Sequence, residues 1–160
     1  MEKIIEKETV KRVKEFVTQF DPEIKILILD TTARTAKDAA KSLSCKVGEI
    51  VKSLVFRAEN SFLICLVAGD RKCSLNKLKK ILQKKDVCMA NADEVKENTG
   101  FSIGGGAPVA HIKKLDVLID KSLNRFQYVF AAAGHPNSVF KISYNQLIEI
   151  SKGTEKEISE

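Results

Sequence analysis

Apolar residues recur at two distinct periods along this chain, and the switches between them outline its elements. Val10, Val13, Phe16, Val17 and Phe20 return every three or four positions among lysines and glutamates, which predicts an amphipathic helix over 3–19. Ile24–Leu29, after Asp21-Pro22, predicts a short strand. Thr35-Ala-Lys-Asp38 has the form of a capping box, with Asp in place of Glu or Gln, and an alanine-rich helix follows to about Ser44. Gly48 opens two strands, Ile50–Arg57 and Phe62–Ala68, joined at Ala58-Glu59-Asn60-Ser61 as a hairpin, hence antiparallel.

Leu75, Leu78 and Leu82 form one stripe of a helix whose other stripe is Lys77, Lys80 and Lys84. Val87–Ala90 predicts a short strand, and Asn91 caps a helix to Thr99 that Gly100 ends. A glycine-rich loop (100–108) follows, then strands near Val117–Ile119, Gln127–Ala132 and Val139–Ile142 and a last helix from about Tyr144. The tail after Gly153 is expected to fray. Helices and short-linked strand pairs interleave, so the expected fold is an α/β single domain over 1–160 on a mixed, mostly antiparallel sheet flanked by helices.

With 160 residues, 44% of them hydrophobic, a core forms without disulfide or metal. The longest wholly apolar run, Phe62–Ala68, is far too short to cross a bilayer, and the first residues carry no signal-peptide pattern; a cytoplasmic protein is expected. The net charge of +6 is uneven. Residues 1–80 hold 17 Lys and Arg against 11 Asp and Glu, and residues 81–160 hold 10 against 10. Arg71–Lys85 carries seven basic residues and no acid, a stretch able to attract phosphates or merely to face solvent. Cys45, Cys65, Cys73 and Cys88 have no metal-ligand spacing, so all four are expected reduced and structural, with neither metal nor cofactor.

Three features could carry chemistry. In Ile50-Val-Lys-Ser-Leu-Val-Phe56, strand alternation puts Lys52 on one face with Ile50, Leu54 and Phe56; a lysine there must snorkel out or line a pocket. In Thr99-Gly-Phe-Ser-Ile-Gly-Gly-Gly-Ala-Pro108, three successive glycines let backbone amides converge on an anion or a carbonyl oxygen, although neither a Walker loop nor a dinucleotide fingerprint is present. Ala131-Ala-Ala-Gly-His-Pro-Asn137 ends a strand in a turn that presents His135, with no acid beside it.

Each feature alone has an ordinary structural explanation, but their order resembles the YbaK family of aminoacyl-tRNA deacylases, related to the editing domain inserted in bacterial prolyl-tRNA synthetases. The resemblance covers about 31–153. It rests on Thr32-Ala-Arg-Thr35 with Asp38-Ala-Ala40, Gly48-Glu-Ile-Val-Lys-Ser-Leu-Val-Phe56 and Gly69-Asp70. It continues through Thr99-Gly-Phe101, Gly104-x-x-x-Pro108, Asp120 and Ala133-Gly-His-Pro-x-x-Val-Phe140.

That resemblance implies a partly closed, barrel-like sheet and hydrolysis of the ester joining a wrong amino acid to the terminal ribose of a tRNA. It puts the family lysine on Lys52, holding the tRNA 3′ end or the aminoacyl group. It makes amides at Gly104 and Gly105 bind the developing oxyanion while water attacks without a side-chain base. Thr31, Thr32, Phe101, Ile103, Gly106, Pro108, Ala133, Gly134 and His135 would contact the substrate, His135 at a position that varies among relatives. Lys77, Lys80 and Lys84 are the candidate tRNA contacts. The implied substrate is a small amino acid such as Ala or Cys on tRNA-Pro or a similar tRNA; the apolar Ala131–Ala133 stretch, where some cysteine-clearing relatives carry Ser, favours an alanyl or other small group over a cysteinyl one. An aminoacyl-tRNA synthetase is a further candidate partner. The competing expectation is a non-catalytic tRNA- or aminoacyl-binding module of the same fold.

Overall fold

The computed structural model describes residues 3–30 and 34–160, so the predicted contacts Thr31 and Thr32 lie outside the described residues. The first helical segment is a 3-10 turn, Ile4–Glu6, followed by α1 (Glu8–Phe20). Val10, Val13 and Val17 are its buried stripe, while Phe16 stays 42% exposed. β1 (Ile26–Ile28) is shorter than its apolar run. Thr35 accepts the Asp38 N–H and starts α2 (Ala36–Leu43). β2 (Val51–Ala58) and β3 (Ser61–Ala68) pair in register from Val51 opposite Ala68 to Ala58 opposite Ser61. Leucine periodicity gives α3 (Leu75–Leu82), and a short strand, β4 (Val87–Met89), follows. Asn91 and Glu94 form a reciprocal capping box at the head of α4 (Ala92–Thr99), and Gly100 caps its end. β5 (Asp116–Asp120), β6 (Tyr128–Ala132), β7 (Ser138–Ser143), α5 (Tyr144–Ser151) and β8 (Thr154–Lys156) complete the chain.

The strands form two sheets, ordered β1-β7-β6 and β4-β2-β3-β5-β8. The first is antiparallel throughout; in the second, β5 runs parallel to both β3 and β8. A bridge between Ile50 and Phe130 joins the sheets where β2 begins. The fold is thus the mixed, mainly antiparallel α/β domain that the pattern predicts.

Alternation in β2 and β3 divides the interior. Val51, Val55, Ile64 and Leu66 face a large core shared with α1, α5, Phe140 and the buried Phe101. Phe56, Leu63, Cys65 and Val67 face a smaller core closed by Leu78 of α3 and Ile158.

The end of the chain departs from expectation. Instead of fraying after Gly153, it adds β8 to the sheet and buries Ile158 completely. Asp120, itself 2% exposed, accepts N–H bonds from Ile158 (2.8 Å) and Ser159 (3.1 Å). Burial opposes its charge, yet these bonds and those from Ser122 outweigh it and hold the carboxyl below its ordinary value. A charged tail tells nothing of a buried acceptor waiting 38 residues earlier.

Candidate functional site

A cavity of about 510 Å³ opens where β2 is not covered by β4. Its walls include Ile50 and Val51–Val55 of β2, the glycine loop at Ser102–Gly104, Gly106 and Ala107, Phe130 and Ala132 of β6, Ser138 and Val139 of β7, the head of α2 from Arg34, and Met89 and Ala90. The charged residues of the lining are Arg34, Lys37 and Lys52; no carboxylate or histidine lines it among the described residues.

The loop is held open by its neighbours. The Thr99 hydroxyl donates to Val95 O (2.7 Å) and accepts the Phe101 N–H (3.0 Å), turning the chain out of α4. Arg12 of α1 then donates to Thr99 O (3.2 Å) and Ala110 O (2.9 Å) and lies 4.6 Å above the Phe101 ring. His111 meets Phe101 edge-on and donates from Nε2 to Ala107 O at 2.8 Å. Burial, with Arg12 nearby, lowers the His111 pKa and keeps the ring neutral. Neither Arg12 nor His111 carries a sequence signal for this role, because the three partners are far apart along the chain.

The three loop glycines differ. The Gly105 N–H donates to Ser102 O (3.1 Å), and a side chain at Gly105 would press on the His135 backbone at 3.0 Å. A side chain at Gly104, at φ +94°, would meet Pro136 at an ordinary 3.8 Å, Gly106 faces open space, and neither amide has a hydrogen-bond partner among the described residues. Gly104 and Gly106 line the cavity with amides that have no partner among the described residues, as do Ser102, Ile103 and Ala107, whereas Gly105 folds its amide into the turn.

Other predicted contacts are distributed more widely. Ile103 is 65% exposed at the cavity mouth, whereas Phe101 is fully buried behind the loop. Ala133 is buried in the core; of the stretch 131–133, Ala132 lines the cavity. Pro108 lines a second cavity instead. Gly134, at φ +90°, leaves room for the Thr9 carbonyl of α1, which a side chain there would meet at 2.5 Å. His135 accepts the Asn137 N–H on Nδ1 (3.0 Å); burial and then Lys7 lower its pKa, and Pro136 lines the cavity in its place.

Lys52 and Ser53 take opposite faces of β2. Lys52 reaches the α3 side and donates to Arg71 O; burial lowers its pKa, opposed by Cys73 and Asp70. Ser53 has its hydroxyl buried without a partner in the cavity wall, a feature the sequence did not single out. Lys77 is tied to Ser159 O, Lys80 is exposed on α3, and Lys84 lines the second cavity, so none of the three lines the first.

A cationic, acid-free cavity walled by unpartnered backbone amides suits an ester attached to a polyanion. Residues 30–150 match the model of the aminoacyl-tRNA editing domain. YwhH of Bacillus subtilis (strain 168), described as uncharacterized, is 35% identical over 144 residues, 89% of this chain and 91% of that protein. The proline–tRNA ligase of Thermosipho africanus (strain TCF52B) is 41% identical over 76 residues, 48% of this chain but 14% of that longer enzyme. A crystal structure described as a candidate trans-editing enzyme for prolyl tRNA synthetase aligns with a TM-score of 0.90 at 32% identity, covering 96% of this chain and 98% of that one. With the fold, the cavity and most of its length in agreement, the chain belongs to the aminoacyl-tRNA editing domain family and is a hydrolase of aminoacyl-tRNA esters.

Proposed function

We propose that this deacylase works in trans as a freestanding cytoplasmic editor, clearing a small amino acid such as Ala or Cys from tRNA-Pro or a similar tRNA. The observation that carries the proposal is the cavity itself: loop amides without partners, those of Gly104 and Gly106 among them, and three cations, with no carboxylate or histidine in the lining among the described residues. Water adds to the ester carbonyl, the Gly104 and Gly106 N–H groups bind the oxygen as it gains charge, and the ribose hydroxyl leaves. Each such donor contributes ~3 kcal/mol in other hydrolases. Lys52, at the cavity edge, holds the tRNA 3′ end or the aminoacyl group. The Ser53 hydroxyl gives the substrate one more polar partner. Phe130, Ala132 and Val139 form an apolar wall that favours small side chains, with only ~1–3 kcal/mol of discrimination per methylene.

Single-turnover hydrolysis across a panel of mischarged tRNAs tests this. Small amino acids should be cleared fastest, and Lys52→Ala should abolish turnover while circular dichroism stays unchanged. Binding of aminoacyl-tRNA without turnover across the whole panel would make the chain a binding module instead.

A further inference from the structure

The deacylase reading leaves a second cavity, of about 780 Å³, without a role. It lies towards the turn of the β2–β3 hairpin, and one loop walls both cavities: Ala107 lines the first and Pro108 the second. Its lining includes two phenylalanines, Phe16 and the partly buried Phe62, and four lysines, Lys84, Lys113, Lys114 and Lys152. Asp116 is its one acid among the described residues, and Lys113 also pairs with Glu97 at 3.6 Å, both side chains exposed. Lys84 and Lys152 follow the ends of α3 and α5, where a cation is favoured in any case. Lys113 lies against the C-terminal end of α4, its N–H on Asn98 O at 3.2 Å, so Lys114 is the lysine of the four with no helix end beside it, and Phe16 is 42% exposed although it belongs to an amphipathic helix.

Aromatic faces ringed by flexible cations are the chemistry that holds single-stranded nucleic acid, bases stacking on the rings and phosphates meeting the ammonium groups. A small anion would need the lysines but not the phenylalanines, and an acidic protein partner would not need exposed ring faces. The two cavities adjoin across the shared loop: Val55 lines the first and Ala58 the second, three residues or about 10 Å along one strand, with their side chains on opposite faces of the sheet. An RNA whose last nucleotide enters the first cavity would pass over the second within a few nucleotides.

We propose that the second cavity is a single-stranded RNA site that takes the nucleotides just before the aminoacylated 3′ end. This rests on the deacylase reading of the first cavity. The test measures binding of a short fluorescent single-stranded RNA across a salt series, and hydrolysis of both aminoacyl-tRNA and a minimal aminoacyl ester of adenosine. Lys113→Gln/Lys114→Gln should weaken RNA binding about tenfold and lower the salt slope by about 1.4, roughly 0.7 for each phosphate no longer neutralised. Phe16→Ala should weaken it roughly tenfold with little change in slope. Both variants should raise KM for aminoacyl-tRNA and leave the minimal ester unaffected. Unchanged affinity and slope in the double variant would overturn the proposal, as would displacement of the RNA by inorganic phosphate at equal charge concentration. Failure of the wild-type protein to cleave the minimal ester or any aminoacyl-tRNA would overturn the deacylase reading instead, with the RNA-binding arm still deciding the second site.

Discussion

Two glycine turns, Gly104–Gly106 and Gly134, look alike in the sequence and do opposite work in the fold. At Gly134 the missing side chain is filled by protein, with the Thr9 carbonyl where a Cβ would sit. At Gly106 it is filled by nothing, at Gly104 Pro136 comes no nearer than 3.8 Å, and the space belongs to the cavity. The turns touch through Gly105 and His135, and each has a neutralised histidine beside it, His111 at the first and His135 at the second. A glycine that permits packing and a glycine that permits access are chemically identical. Only what stands opposite distinguishes them.

Substitution should separate the two roles sharply. The largest effect is expected from Gly134→Val, which combines a positive φ with overlap onto α1. Each costs ~1–3 kcal/mol, so stability should fall by about 3 kcal/mol or more, read as a lower midpoint in urea. A wild-type midpoint would mean that α1 gives way and the packing role is wrong.

Gly106→Val should do the reverse. Its Cβ enters open space and its φ is not in the left-handed region, so stability should change by less than ~0.5 kcal/mol, read from the same midpoint. Turnover should fall about a hundredfold as the amide is screened from the ester. Full turnover would remove the Gly106 N–H from the oxyanion site. It is a cleaner probe than Gly105→Val, which presses on the His135 backbone and confuses the two roles.

Arg12→Ala tests what keeps the first turn open. It strips the Thr99 and Ala110 carbonyls of their shared donor and uncovers Phe101. A stability loss of about 1–2 kcal/mol is expected. If Arg12 positions the loop, kcat should also fall about tenfold with KM nearly unchanged, and Arg12→Lys should rescue it only in part, because one ammonium cannot reproduce the fork. Loss of stability with normal kcat would leave Arg12 a purely structural residue.

The smallest effect concerns pH. Burial lowers the folded-state pKa of His111 below 6.5, so on acidification the unfolded chain takes the proton first. Stability contributed by neutral His111 is therefore complete above the unfolded value and declines as pH falls from about 6.5 towards the folded value. The midpoint of wild-type protein should drop between pH 7 and 5, and His111→Phe should drop less. Equal slopes would assign the acid sensitivity to His135 or another group.

Local sequence determined most of the elements here, because capping, periodicity and turn chemistry act over a few residues. Asn91 with Glu94, the leucines of α3 and the Glu59-Asn60 turn each produced the expected element. Lys52, the glycine loop and the alanine stretch were also visible as a family pattern. Alternation within the predicted strand 127–132 could even have shown that Phe130 and Ala132 share a face opposite Val129 and Ala131.

Tertiary structure alone decided which residues meet. The tail became a strand because a buried Asp120 carboxylate and a free edge of β5 were there to receive it. Arg12 became the brace of a loop about a hundred residues away, Gly105 turned its amide inwards, and Lys52 found its acceptor in Arg71 O. Spacing along a chain fixes period and conformation, whereas the partner of a carbonyl, an amide or an ammonium is set by whatever distant segment packs within about 3 Å of it.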